Sequence, residues 1–154
     1  MATPSPRIEK ILVPYDFGEP AARALTYARI LVERLSASLE LLHVVADLRL
    51  ALLPLGPAEG GAYVPSPGLL DEITREGEAA LDEVLTAHDR KALRATRRVV
   101  VGDARAQIIG QARLDGADLI VMGTHGRSGV RHALLGSVAE GVVRAAACPV
   151  LTVR

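Results

Sequence analysis

The 154-residue chain is poor in the residues on which several kinds of site depend. It has no tryptophan, one phenylalanine and three tyrosines, too few aromatic rings for the stacking that a flavin site uses. Cys148 is the only cysteine, which excludes an internal disulfide and a multi-cysteine metal site. Its apolar neighbours predict a buried, inert thiol.

Long apolar runs and an excess of one charge are also missing. No run is long enough to span a bilayer, and residues 1–7 lack the apolar core of a signal peptide, so we expect a soluble, cytoplasmic protein. Lysine plus arginine and aspartate plus glutamate number 18 each. Without a basic excess, nucleic acid and anionic membranes are poor default partners. The length and the 49% hydrophobic content predict one globular domain over residues 1–154.

Short β-branched runs alternate with segments of helical periodicity along most of the chain. Strands separated by helices run parallel when each crossover is right-handed. The pattern predicts an α/β fold: a three-layer, open, twisted parallel sheet of about five strands with helices on both faces. The predicted strands are 10–14, 39–45, 98–101, 119–122 and 150–153. The first helix is predicted to begin at Pro20, and its inward face consists of Leu25, Ala28, Leu31, Val32 and Leu35. Three more helices are predicted: one over about 69–85, one after an N-cap at Asp103, and one over about 137–146. Residues 54–67 form one long irregular connection.

The loop after the fourth strand, residues 123–137, is the most informative segment. It holds four glycines, two arginines, two histidines and three hydroxyl residues, and it ends at a predicted helix start. Glycine lets the backbone approach a phosphate, helix N-termini bind anions, and Arg127 and Arg131 can neutralise a polyphosphate. Composition alone leaves a flexible, solvated loop equally open, but ligands bind parallel sheets at the carboxyl ends of the strands.

Other nucleotide-binding patterns are absent. The first strand is not followed by Gly-x-Gly-x-x-Gly, and no lysine follows Gly136 as a P-loop requires, so efficient ATP hydrolysis is not expected. The last strand ends without the lysine of a receiver domain. Taken by itself, Asp16 is interpreted as a carboxylate that caps a helix. His43 is expected to lie in the core or in the wall of a pocket. His125 and His132 read as loop residues because nothing completes a metal site around them.

The spacing of Gly123, Gly126, Gly136 and Ser137 is Gly-x2-Gly-x9-Gly-Ser. This arrangement resembles the ATP-binding signature of universal stress proteins. The resemblance extends through residues 11–17, 42–44, 101–103 and 148–150, and so touches every predicted strand. It implies a Rossmann-like fold of the adenine nucleotide alpha hydrolase type.

The resemblance also implies a ligand and its contacts: ATP, with any Mg²⁺ held mainly by the phosphates. Asp16 would contact the adenosine, Val44 and Met122 would wall the adenine, and the glycines with Ser137 would hold the ribose and the phosphates. Gly18 stands where such sequences commonly have serine, and Ala139 supplies no second hydroxyl, so ATP affinity is expected to be weaker. The implied cofactor-binding residues are Pro14, Tyr15, Asp16, Val44, Met122, Gly123, Gly126, Arg127, Gly136, Ser137 and Val138.

Three functions are compatible with these residues. The first is an ATP-binding regulatory module of a stress response with slow or no ATP turnover. The second is a weak ATPase, or an enzyme that phosphorylates itself on Ser128 or Ser137, and the third is a family member that works through protein contacts without nucleotide. The last strand is expected at a sheet edge, where the resemblance implies a homodimer; the alternative is an edge shielded by residues 48–55.

Overall fold

The computed structural model describes residues 7–47, 67–126 and 135–154. Five strands form one parallel sheet in the order β3-β2-β1-β4-β5, which confirms the predicted fold class. The strands are β1 (Lys10–Pro14), β2 (Ser38–Val45), β3 (Thr96–Val101), β4 (Leu119–Gly123) and β5 (Val150–Val153). The helices are α1 (Glu19–Leu35), α2 (Pro67–Val84), α3 (Ala87–Ala92), α4 (Ala104–Leu114) and α5 (Ser137–Ala145). None of the helices within these ranges has both the length and the apolarity needed to cross a bilayer.

Both faces of the sheet are covered by helices. Ile11 and Val13 pack into a cluster that includes the buried face of α1, whereas Leu12, between them, packs into a cluster formed with α4 and α5. All three side chains are fully buried. A parallel strand covered on both sides is apolar at every position rather than alternating, which is why these short runs could be recognised in the sequence.

Strands β2 and β3 begin one and two residues earlier than predicted, and two larger differences concern helices. Leu35 was expected on the inward face of α1, but 45% of it is exposed because the helix ends there and Ser36 turns the chain in a left-handed conformation. Helix α3 was not predicted. It begins with a capping box between Thr86 and Asp89, but it buries no residue and therefore has no apolar periodicity. The irregular segment 54–67 lies outside the described residues except for Pro67, which begins α2.

One buried charge interrupts the apolar strands. The Glu40 side chain on β2 is almost fully buried and pairs with Lys10 Nζ at 2.8 Å and Arg98 Nε at 2.9 Å. These partners come from β1 and β3, on either side of β2. Arg98 continues to Asp115 Oδ1 at 3.2 Å, so the charges link three strands to the end of α4. A buried carboxylate is tolerated because cations compensate it.

The strand order reverses between β1 and β4. The chain steps outward from β1 to β2 and β3, and then returns to place β4 on the other side of β1. Helices leaving adjacent strands at such a point lie on opposite faces, which opens a crevice at the carboxyl ends of the strands. The loops after β1 and β4 therefore meet at this crevice.

Gly123, the last residue of β4, allows α1 to begin directly beside the crevice. A Cβ atom there would lie 2.8 Å from Pro20 Cβ and 2.9 Å from the Pro20 carbonyl carbon, both in the first turn of α1. Those distances are far below van der Waals contact, and one of the two atoms belongs to the backbone. The missing side chain thus serves the packing of the helix against the strand.

This packing can be tested with two glycine-to-alanine variants. We expect Gly123→Ala to lower the free energy of unfolding by about 1–3 kcal/mol because the start of α1 must shift. Gly110→Ala is the matched control: it lies within α4 with no atom within 4 Å of the added Cβ, and we expect it to raise stability by about 0.5–1 kcal/mol. Urea denaturation measures both; equal stability of Gly123→Ala and wild type would contradict the packing argument.

Candidate functional site

A cavity of about 420 Å³ lies over the crevice between β1 and β4. This volume is in the range of pockets that hold small molecules. Its walls come from the ends of β1, β2 and β4 and from the first turns of α1, α4 and α5. The lining residues are Pro14, Tyr15, Asp16, Ala21, Leu42, His43, Val44, Ala104, Ile108, Met122, Gly123, Thr124, His125, Gly126, Leu135, Gly136, Ser137, Val138 and Ala139.

The structure brings together the residues singled out in the sequence. All the implied cofactor-binding residues line this cavity except Arg127, which lies outside the described residues, as do Ser128, Arg131 and His132. Ala104 and Ile108 were missed. They are four apart on α4 and follow the N-cap Asp103, whose carboxylate accepts a hydrogen bond from Ala106 N at 2.8 Å, so helical spacing after that cap could have indicated them.

Asp16 lines the cavity and lies in a tight turn. Its Oδ1 accepts a hydrogen bond from the backbone N–H of Gly18 at 2.9 Å. Gly18 is the N-cap of α1, so this hydrogen bond joins the carboxylate to the residue that precedes the helix. A Cβ atom on Gly126 would lie 3.1 Å from Asp16 Oδ2. The loops after β1 and β4 therefore touch at the carboxylate.

An aromatic cluster holds this turn in place. Phe17 has a left-handed backbone with φ of 64°, which a residue with a side chain adopts only under constraint. Its ring packs edge-on against Tyr15, with centroids 5.4 Å apart, and against His43 at 4.8 Å. These contacts fix the backbone on both sides of Asp16.

His43 and Tyr15 are joined through the backbone. His43 Nδ1 lies 2.8 Å from the Tyr15 carbonyl oxygen, and because a carbonyl only accepts, Nδ1 carries the proton. Tyr15 N–H in turn donates to the Leu42 carbonyl at 2.8 Å, which extends the pairing of β1 and β2 by one residue. Burial raises the pKa of the Tyr15 phenol above its ordinary value, so its hydroxyl is neutral at physiological pH.

The N-terminus of α5 forms another part of the cavity wall. Its N-cap is Gly136, which has no side chain to bond the first turn. The backbone N–H groups of a first turn have no partner within the helix, and the helix dipole adds partial positive charge there. Ser137, Val138 and Ala139 all line the cavity. The site is therefore negative at Asp16 and positive at the start of α5.

Thr124 anchors this helix start. Its carbonyl oxygen accepts a hydrogen bond from Gly136 N at 2.7 Å, and its own N–H donates to the Val153 carbonyl at 2.9 Å. The Thr124 side chain is buried, and its hydroxyl lies 3.0 Å from His125 Nδ1. A Cβ atom on Gly136 would lie 3.1 Å from the Thr124 carbonyl oxygen, so this glycine also makes room for neighbouring backbone.

The remaining candidate groups add no metal or thiol chemistry. No three or more His, Cys, Asp or Glu side chains cluster to hold a metal ion within residues 7–47, 67–126 and 135–154. Cys148 is half-buried, not fully buried as predicted, and packs beside the cluster under α4 and α5. Burial raises the pKa of its thiol, which keeps it protonated.

Comparison with known proteins gives a consistent result over nearly the whole chain. The model of the universal stress protein family matches residues 7–154. Universal stress protein YxiE of Bacillus subtilis is 32% identical over 148 residues, which are 94% of this chain and 98% of YxiE. The solved structure of universal stress protein UspA from Lactobacillus plantarum is similar with a TM-score of 0.76 and 25% identity, over 96% of this chain and 99% of that chain.

Two further solved structures of this fold contain nucleotides. One is a universal stress protein in complex with cAMP, with a TM-score of 0.59 and 24% identity over 96% of this chain and 98% of that chain. The other, from Archaeoglobus fulgidus, is in complex with dAMP, with a TM-score of 0.63 and 19% identity over 95% of this chain and 98% of that chain. At these identities the likeness concerns the fold alone.

Proposed function

The chain belongs to the universal stress protein family, and from that premise we propose that it is an ATP-binding regulatory module of a cytoplasmic stress response with slow or no ATP turnover. The observation that carries the proposal is the polarity of the cavity. A carboxylate and a helix N-terminus both line one space of about 420 Å³. ATP has the matching arrangement, with hydroxyl and amino donors on adenosine and negative charge on the phosphates.

The apolar middle of the cavity suits an adenine ring. Leu42, Val44, Ile108 and Met122 line it, and they come from two strands and from α4. A flat ring between such walls loses apolar contact with water, and main-chain groups of Val44 at the end of β2 can bond its edge. The adenosine therefore lies toward Val44 and Asp16, where a carboxylate can accept from the ribose hydroxyls.

The phosphates belong at the start of α5. Asp16 would repel them, whereas the first-turn N–H groups of α5 attract anions. The Ser137 hydroxyl adds a further donor at the same end. Arg127 in the loop is proposed as a cation for the tail, on the strength of the family pattern. Any Mg²⁺ is held mainly by the phosphates, because Asp16 is the one carboxylate that lines the cavity in the described part of the chain.

Binding without rapid hydrolysis follows from the same residues. Fast phosphoryl transfer needs groups that position the nucleophile, together with cations that neutralise the transition state. The chain has no lysine after Gly136, and the lone lining carboxylate lies at the adenosine end. The adenine nucleotides in the cAMP and dAMP complexes belong to those proteins; for this chain the support comes from its own cavity.

The proposal includes a homodimer formed along β5. Among the described strands, β5 pairs only with β4 and is the last strand of the sheet, where an edge could pair with a second chain. Leu151, in its middle, is 38% exposed. The alternative shield, residues 48–55, lies outside the described residues.

The placement of the phosphates is tested with Ser137→Asp. A carboxylate at the first position of α5 suits the helix dipole, so stability should not fall, but it repels the phosphates. We expect ATP affinity measured by titration calorimetry to fall tenfold or more, about 1.4 kcal/mol, whereas adenosine affinity changes less than twofold. Ser137→Ala, which removes only the hydroxyl, should lose much less. Unchanged ATP binding by Ser137→Asp would exclude this end of the cavity, and no binding of ATP or adenosine by wild type at millimolar concentration would exclude the function.

The turnover of ATP is tested by steady-state phosphate release. With saturating ATP and Mg²⁺ we expect a rate well below about 1 per second, the low end for enzymes. A rate above that value would favour the ATPase. Incorporation of labelled phosphate that disappears in Ser137→Ala would favour self-phosphorylation at the residue where the tail is placed.

The dimer is tested by light scattering at micromolar concentration. We expect wild type to have twice the chain mass of 16.3 kDa, and Leu151→Lys to have the chain mass, because a charge on an edge strand opposes pairing. Leu114→Lys is the control, since Leu114 is 79% exposed at the end of α4 and should leave the dimer intact. A monomeric wild type would refute the interface.

A further inference from the structure

One contact between helices α4 and α5 is made by an arginine and a glycine. Arg105 is the second residue of α4, and its side chain lies across Gly141, the fifth residue of α5. A Cβ atom on Gly141 would overlap Arg105 Cδ and would lie 3.0 Å from Cγ and 3.5 Å from Nε. The bare α-carbon of Gly141 therefore forms the surface on which the arginine rests.

This contact lies next to the mouth of the cavity. On α5, Gly141 is three residues after Val138, so the two share a helix face, and Val138 lines the cavity with 37% of its surface exposed. On α4, Arg105 follows Ala104 and precedes Ile108 by three residues, and both of these line the cavity. Cavity-lining residues thus lie close to Arg105 on its own helix and close to Gly141 on the other. The Arg105 side chain runs from the first turn of α4 to the second turn of α5.

No acidic side chain neutralises this arginine. In the described part of the chain, no carboxylate lies within ion-pairing distance of Arg105, and Glu140, beside Gly141, pairs with Arg144 at 2.9 Å. The arginine is exposed, so its guanidinium can turn on its long stem. Among the described residues, Arg105 is therefore a cation without an acidic partner, and it lies next to residues that line the cavity.

We propose that Arg105 makes the site selective for the number of phosphates by contacting the outer phosphates of ATP. The inference rests on the proposed function and adds a residue that the family signature does not contain. A single phosphate on adenosine is already served by the first turn of α5. The further phosphates extend outward past Val138, where the guanidinium can donate two parallel hydrogen bonds to their oxygens. Because Gly141 has no side chain, the Arg105 side chain can lie close to the backbone of α5 and reach these phosphates.

Two variants should each weaken ATP binding without weakening AMP binding, for different structural reasons. We expect Arg105→Gln to weaken ATP binding about fivefold in titration calorimetry, the scale of one charge-assisted contact at a solvent-exposed site, and to change AMP affinity less than twofold. Gly141→Ala should also weaken ATP selectively, because the added Cβ drives the Arg105 side chain off its seat. Alanine favours helix over glycine, so thermal melting of Gly141→Ala should show no loss of stability.

Arg113→Gln is the matched control, since it removes the same charge from the last turn of α4, away from the cavity. It should leave the ratio of ATP to AMP affinity unchanged. If wild type binds ATP but Arg105→Gln binds it equally well, or loses ATP and AMP affinity to the same extent, the phosphate-counting role is overturned and the proposed function stands. If wild type binds no adenine nucleotide or nucleoside, both fail together.

Discussion

The pairing of β1 with β4 is the constraint on which the site depends. Ile11 is in register with Leu119 and Leu12 with Ile120, and this short parallel contact joins the two halves of the sheet. Because the helices that leave these two strands, α1 and α5, lie on opposite faces of the sheet, the carboxyl ends of the strands are left uncovered, and the chain forms the cavity from loops. The aspartate turn after β1 and the glycine turn after β4 then meet over the opening, where Gly126 touches Asp16.

Two glycines of the signature have a packing role in the fold that does not depend on a ligand. Gly123 admits the first turn of α1, and Gly136 admits the carbonyl of Thr124. Both are in backbone conformations open to other residues, so the requirement is for space and not for a positive φ. The glycines whose spacing resembles a ligand-binding motif are thus also required for the close approach of helices and strands. Loss of such a glycine would damage the fold and the cavity together.

Most of the architecture could be predicted because its signals are local. Apolar runs located the five strands, and Asp103 marked a helix start through its own capping bond. What could not be predicted arises from tertiary contact: the edge-on packing of Phe17 against His43 and the seat of Arg105 on Gly141 join residues far apart in sequence. Helix α3 escaped because it contributes nothing to the core, so no hydrophobic period reveals it. Among the cavity residues, Ser137 was predictable from its position at a helix start, whereas Met122 was implied only by the family resemblance.

Thr124 lies between β5 and the start of α5, one hydrogen bond from each. Its N–H holds the Val153 carbonyl, and its carbonyl holds the cap of α5. A second chain added along β5 would restrain Val153, and with it the peptide that orients the start of α5. Self-association and ligand occupancy would then be thermodynamically linked, each raising the other by the same factor. The protein's response to a nucleotide would accordingly depend on its own concentration in the cell.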